Sequence, residues 1–150
     1  NEVHKEKENS VLLLVGQGPL ENEIKEKVNR LGLSDTVKFL GQRDDVSELY
    51  QAFDLFLLPS LYEGLPVVGV EAQAAGLLCV LSSDMTKETK ILDSTEFVDL
   101  EQGVKKWTSK ILNNDLNNRK EKCENLVNSQ YNIKKEAVRL EEKYMKVIKN

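Results

Sequence analysis

The sequence predicts an α/β fold, a doubly wound parallel sheet with helices on both faces and further helices at the C-terminal end. Three observations predict it. The runs "SVLLLVG", "DLFLLPS" and "LLCVLSS" are apolar without alternation, which suits strands covered on both faces. Segments with helical spacing of apolar residues lie between them. Gly or Pro marks several of the boundaries. Strands alternating with helices in this way imply a parallel sheet.

The elements follow in order. Residues 1–9, "NEVHKEKEN", are polar and read as a helix end or a frayed terminus. "SVLLLVG" is the first strand, ending at Gly16, and "GQGP" breaks it. Leu20, Ile24, Val28 and Leu31 then stand at helical spacing, and Gly32 closes that helix. The second strand runs from about Thr36 to Leu40. "DDVSELYQAF" is a helix with Asp44 or Asp45 as N-cap. "DLFLLPS" is a strand stopped by Pro59. A loop through Pro66 leads into a helix reaching about Ala75. Pro66 suits the first helical turn. "LLCVLSS" is a fourth strand, "MTKETKIL" is ambiguous, and "TEFVDL" is a short last strand.

From about Glu101 the chain has no Pro, and no Gly after Gly103. "GVKKWTSKIL", "DLNNRKEKCENLVNS" and "IKKEAVRLEEKYMKVIKN" read as amphipathic helices. The last carries Ile133, Ala137, Leu140, Tyr144 and Ile148 on roughly one face. No internal repeat is visible, and no domain boundary is placed.

Composition narrows the function classes. The chain has 150 residues, 40% hydrophobic and 31% charged, which is enough for one domain with a core. Its net charge of -4 gives no reason to expect nucleic acid as a partner. The apolar runs are strand-sized, so no transmembrane helix is expected, and no signal-peptide pattern opens the chain. Cys79 and Cys123 form no CxxC pair, which fits a reduced, cytoplasmic chain. His4 is the only histidine, which argues against a His-based metal site or catalytic triad.

Chemistry concentrates in "SLYEGLPVVGVEAQAAG", Ser60 to Gly76. Glu63 and Glu71 stand among apolar and small residues, and no Lys or Arg occurs from Asp44 to Thr86. Nearly every face of the Pro66 helix is small or apolar, so it is expected to be buried. A buried carboxylate needs a partner. Lys38, Arg43, Lys87 or another remote cation could supply it. So could the hydroxyls of a ligand, since a carboxylate accepts two hydrogen bonds from a vicinal diol. Glu63 precedes the helix at the carboxyl end of a strand, the edge at which open α/β sheets bind ligands. The N–H groups near Leu65 to Val68 could hold a phosphate.

"PSLYEGLPVVGVEAQAAG" resembles the signature of retaining glycosyltransferases of family four, which have the GT-B fold. The motif is Glu, seven residues, Glu, within P-S-x-x-E-G-x-P-x-x-x-x-E-A-x-A-x-G. The stretch from "LLLVGQGPL" to "DLFLLPS" is similar, in order, to that family's Rossmann-like donor-binding domain, and "YNIKKEAVRLEEKY" to its closing helices. The similarity covers nearly the whole chain and is strongest to enzymes of exopolysaccharide and capsule synthesis. The resemblance implies a donor site for a nucleotide diphosphate sugar. Glu63 would stand by the donor sugar. The turn Gly64, Leu65, Pro66 and Val67 would line it, with the N–H groups of Gly64, Leu65 and Val67 facing sugar hydroxyls and diphosphate. Glu71 would bind the ribose hydroxyls. Gly16 and Gly18 would let the backbone approach the nucleotide, and Gln42 and Arg43 would lie near the base. Taken alone, the Gly pair reads as a turn, and Gln42–Arg43 reads equally as a solvated loop.

The implied reaction is sugar transfer with retention to a glycan or lipid-linked acceptor, by front-face attack. No cofactor or metal is expected, and no Asp-x-Asp motif is present. The full enzyme is expected in the cytoplasm, with peripheral association at the inner face of the membrane as a further option. Some features depart from the family pattern. Gly76-Leu77-Leu78-Cys79-Val80 replaces Gly-x-Pro-Val, and "SSDMTKE" lacks a Gly-Gly pair. The family's first donor-domain strand and helix, with an Arg and a Lys that clamp the diphosphate, would precede Asn1. The acceptor domain would too. The chain is therefore expected to be the C-terminal part of a longer enzyme and inactive alone. Without that strand, "VLLLVG" and "LFLLP" are expected to pair directly or to flank a gap. Rival readings are a GT-B nucleotide-sugar epimerase, a non-catalytic nucleotide-sugar-binding subunit, and a receiver domain. The last would need an Asp at a strand's carboxyl end, whereas Asp54 opens its strand.

Overall fold

The computed structural model describes residues 1–113, 127 and 129–148. The elements are α1 (Glu2–Glu6), β1 (Leu12–Val15), α2 (Glu21–Arg30), β2 (Val37–Gly41), α3 (Val46–Ala52), β3 (Leu55–Leu58), α4 (Val67–Ala74), β4 (Leu78–Ser82), β5 (Glu96–Val98), α5 (Gly103–Leu112) and α6 (Ile133–Ile148). Short 3-10 turns occupy Lys87–Thr89 and Leu100–Gln102. The expected strands and helices are present with ends shifted by a few residues. Only "DLNNRKEKCENLVNS" lies largely outside the described residues. The ambiguous "MTKETKIL" contains the first 3-10 turn, capped by the Thr86 hydroxyl, which accepts from Glu88 N at 3.4 Å.

All strand pairing is parallel. β1 pairs with β2, and β4 pairs with both β3 and β5. β1 and β3 are not hydrogen-bonded to each other: among the described residues the strands form a two-stranded and a three-stranded sheet. The chain divides accordingly into two compact units. The first joins Asn1–Ala52 with the segment from Glu101 through α5, and the second joins Phe53–Leu100 with α6.

In the first unit, Val28 of α2, Leu33 and Val37 form a small core, with Leu14 and Phe39 packed against it. α2 has Glu21 and Glu23 in its first turn and Lys27 and Arg30 in its last, the order its dipole favours. Lys25 Nζ lies 2.6 Å from Glu21 Oε1, one turn away.

In the second unit every residue of β4 is buried. Leu77, Leu78, Cys79, Val80, Leu81, Leu92 and Val98 are the heart of this core. α4 packs on β4, β3 and the Lys87–Thr89 turn. Cys79 is buried, and its Sγ donates to Leu77 O at 3.6 Å. α6 has the expected apolar positions, but Ile133, Leu140, Tyr144 and Ile148 are all exposed. No helix among the described residues is long and apolar enough to cross a membrane.

Candidate functional site

The site residues fall into two sets, one in each unit. In the first unit, β1 and β2 run side by side, so the loops at their carboxyl ends are neighbours. Gly16 N donates to Gly41 O at 2.7 Å and joins them. Both glycines need positive φ, 126° at Gly16 and 64° at Gly41, where side chains are strained. Gly18 is different. Its φ is ordinary, and a Cβ there would meet nothing within 4 Å. Nothing in the packing of the described residues therefore requires glycine at 18.

Gln42 and Arg43 follow Gly41 directly. Arg43 Nε donates to Asp45 Oδ1 at 2.7 Å, and a second nitrogen bonds Oδ2, so the pair is bidentate. The hydrogen bond to Arg43 holds the Asp45 carboxyl below its ordinary range, and the same bond raises the guanidinium. Asp45 thus stands just before α3 with its carboxylate committed to Arg43, while its carbonyl accepts from Leu49 N at 3.1 Å and begins the helix. Of the three cations named as remote partners for the motif acids, Arg43 is engaged here. Lys87 sits over the Phe97 ring at 3.7 Å from its centroid.

In the second unit, the loop after β3 carries Glu63, half-buried, which accepts from Ser60 Oγ at 3.2 Å. Gly64 and Leu65 are exposed, and a Cβ on Gly64 would meet nothing within 4 Å. Pro66 is buried, with φ -72° and ψ 93°. It occupies the N-cap rather than the first helical position expected for it, because its carbonyl opens the ladder. Gly69 N and Val70 N donate to Pro66 O at 2.9 and 3.3 Å. Val67 is exposed at the start of α4, and Glu71 follows on the same outward side.

Burial of the whole helix, expected from its composition, does not occur. Gly69, Ala72 and Gln73 face inward, whereas Val67 and Val68 are 59% and 42% exposed and Glu71 is exposed. The physical reason combines side-chain size with hydrogen bonding. Gly69 and Ala72 let the inner face approach the sheet closely, and Gln73 is taken inside because its amide is fully hydrogen-bonded there, whereas Val67, Val68 and Glu71 are left outside. Glu71 is consequently a surface carboxylate, not a core one. Asp54 stands just before β3, at its amino end, as expected.

The residue that sequence reasoning missed is Gln73. It is fully buried and makes five hydrogen bonds, to Gly69 O, Thr89 O, Ile91 N, Leu92 N and Thr95 Oγ1. Its position four residues after Gly69 on the small-residue face was the available signal.

Comparison with known proteins identifies a family. Residues 2–132 match the family model "Glycosyl transferases group 1". The chain is 51% identical over 77 residues to EpsF of Bacillus subtilis (strain 168), covering 51% of this chain and 20% of that protein. It is 28% identical over 147 residues to the UDP-Gal:alpha-D-GlcNAc-diphosphoundecaprenol alpha-1,3-galactosyltransferase of Escherichia coli, covering 94% of this chain and 38% of that protein. The chain thus spans a fifth to two fifths of the length of these relatives. Among solved structures, WaaG, a glycosyltransferase involved in lipopolysaccharide biosynthesis, superimposes with a TM-score of 0.67 at 26% identity, over 83% of this chain and 35% of WaaG. Parallel strands alternating with helices, closing helices at the C-terminal end and a family match over most of its length lead to one conclusion: the chain belongs to the glycosyltransferase group 1 family and has the α/β architecture of GT-B enzymes.

Proposed function

We propose that the enzyme to which this chain belongs transfers a sugar from a nucleotide diphosphate sugar, with retention, to a glycan or lipid-linked acceptor in cell-surface polysaccharide synthesis. The carrying observation is the pair of acids after β3: Glu63 half-buried in the loop, Glu71 on the outward side of α4. The relative from Escherichia coli is named for a UDP-galactose donor and a diphosphoundecaprenol-linked acceptor, which supports a donor and acceptor of that chemical class.

In this reading Glu71 accepts hydrogen bonds from the ribose diol. The amides from Gly64 to Val67 and the positive end of α4 face the diphosphate, whose charge grows as it leaves. Glu63, held by Ser60, orients or stabilises the oxocarbenium-like sugar. The departing diphosphate takes part in deprotonating the acceptor on the same face, which gives retention. Within the first unit, Gly16, Gly18, Gln42 and Arg43 are the residues that the family resemblance assigns to the nucleotide. No metal is required.

Titration calorimetry of the full-length enzyme against a panel of nucleotide sugars, with a radiolabelled transfer assay and NMR of the product anomer, tests this. Glu71→Ala should weaken donor binding by about 2 kcal/mol, roughly thirtyfold, the worth of a charge-assisted hydrogen bond. Glu63→Ala should lower turnover more than donor affinity. A product of inverted configuration, or full donor affinity in Glu71→Ala, overturns the reading.

A further inference from the structure

α4 meets the sheet through its smallest residues. A Cβ built on Gly69 would lie 3.3 Å from Thr89 Cγ2 and 3.8 Å from Leu81 Cδ1. Helix, strand and 3-10 turn therefore touch closely at this point. A surface of Gly and Ala packs tightly but presents few ridges, so it resists rotation or sliding weakly. Gln73 is the one long polar side chain on that face.

The Gln73 amide is fully used. Nε2 donates to Gly69 O at 2.9 Å and to Thr89 O at 2.8 Å. Oε1 accepts from Ile91 N at 2.8 Å, Leu92 N at 3.0 Å and Thr95 Oγ1 at 2.7 Å. Two carbonyls on one side and three donors on the other fix which end is nitrogen. Four of the five partners belong to the connection between β4 and β5. Such bonds are directional where the small-residue contact is not, and setting register is the best-attested use of a buried polar group.

We propose that Gln73 is a positioning residue for the donor site: its amide fixes the register of α4 against the β4–β5 connection and thereby sets where Glu71 stands. Two residues apart, Gln73 and Glu71 lie roughly 200° apart around the helix. One pins the inner face while the other presents a carboxylate on the outer face. A slip of α4 by a fraction of a turn carries Glu71 out of reach of the diol. The inference rests on the donor-binding role of Glu71 proposed above.

The test is a double-mutant cycle in the full-length enzyme. Donor affinity is measured by calorimetry with UDP-, GDP-, ADP- and dTDP-hexoses for wild type, Glu71→Ala, Gln73→Glu and the double variant. Gln73→Glu keeps the size, removes both donors and sets a carboxylate against the carbonyls of Gly69 and Thr89. It should weaken donor binding about tenfold, and in the Glu71→Ala background that loss should vanish. Additive losses, or unchanged donor affinity in a folded Gln73→Glu, overturn the proposal. A Glu71→Ala enzyme with full donor affinity overturns the donor reading itself, which the cycle separates from failure of the Gln73 step. Thr95→Val removes one bond to Oε1 and serves should Gln73→Glu not fold. It should raise the donor KM and leave kcat in place, whereas a lowered thermal midpoint with an unchanged KM counts against the proposal.

Discussion

β1 and β4 are alike in sequence and opposite in surroundings. "LLLV" and "LCVL" are both unbroken apolar runs, and both read as strands built for cover on two faces. β4 lies between two parallel neighbours beneath α4, and all its residues are buried. Among the described residues β1 pairs with β2 alone, and Leu12 and Val15 at its ends are 41% and 38% exposed. A non-alternating run therefore reports what a strand tolerates, while its place in the sheet decides what it receives.

Truncation should break the symmetry between the two strands most sharply. Leu81→Ala empties a fully buried site and should cost about 3 kcal/mol, with residual cavity adding to lost transfer energy. Leu12→Ala should cost under about 1 kcal/mol, because much of that side chain already meets water. Urea midpoints of the two variants decide it, and equal shifts would show that β1 is as enclosed as β4. The glycines sharpen the contrast. Gly16→Ala should destabilise by about 2 kcal/mol, since its φ of 126° is strained for any side chain. Gly69→Ala should change stability by less than about 1 kcal/mol, because helix propensity gained offsets crowding against Thr89. The first unit thus depends on a glycine backbone conformation, whereas the second gives enough beside Thr89 to accept a methyl at position 69. A larger loss from Gly69→Ala than from Gly16→Ala reverses that assignment.

The smallest effect concerns pH. The hydrogen bond from Arg43 lowers the Asp45 carboxyl below its ordinary 3.8. A depressed carboxylate contributes stability above that ordinary value and loses it as pH falls through the lower, folded value. Both groups are exposed, so the contribution is slight. An NMR titration of Arg43→Ala should show the Asp45 carboxyl returning upward, and no movement would mean that the pair has no electrostatic effect.

Much of this was legible from residue order alone. The apolar runs located β1, β3 and β4, the spacing of Leu20, Ile24 and Val28 located α2, and the Glu63–Glu71 frame pointed to the family. The outward placement of Glu71 was not legible, because polarity around α4 is nearly uniform. Gly69, Ala72 and the hydrogen-bonded Gln73 are the residues turned inward, and the amide partners that draw Gln73 inside are remote in sequence. Gln73 was hidden for that reason. Its partners at Thr89, Ile91, Leu92 and Thr95 are 16 to 22 positions away, so no local window joins them. The Asp45 carboxylate was visible as a cap and engaged elsewhere, because Arg43 stands two residues before it.

Strand order also carries a consequence for biosynthesis. Every strand pairs with one adjacent to it in the chain, so each pairing closes only a single connection. β3, β4 and β5 have all left the ribosome once Val98 emerges, and their sheet can assemble then. The first unit includes α5, which packs on α1, so its closure waits for nearly the whole length between them. Vectorial synthesis should therefore complete the three-stranded sheet while the earlier-made α1 still lacks its packing partner.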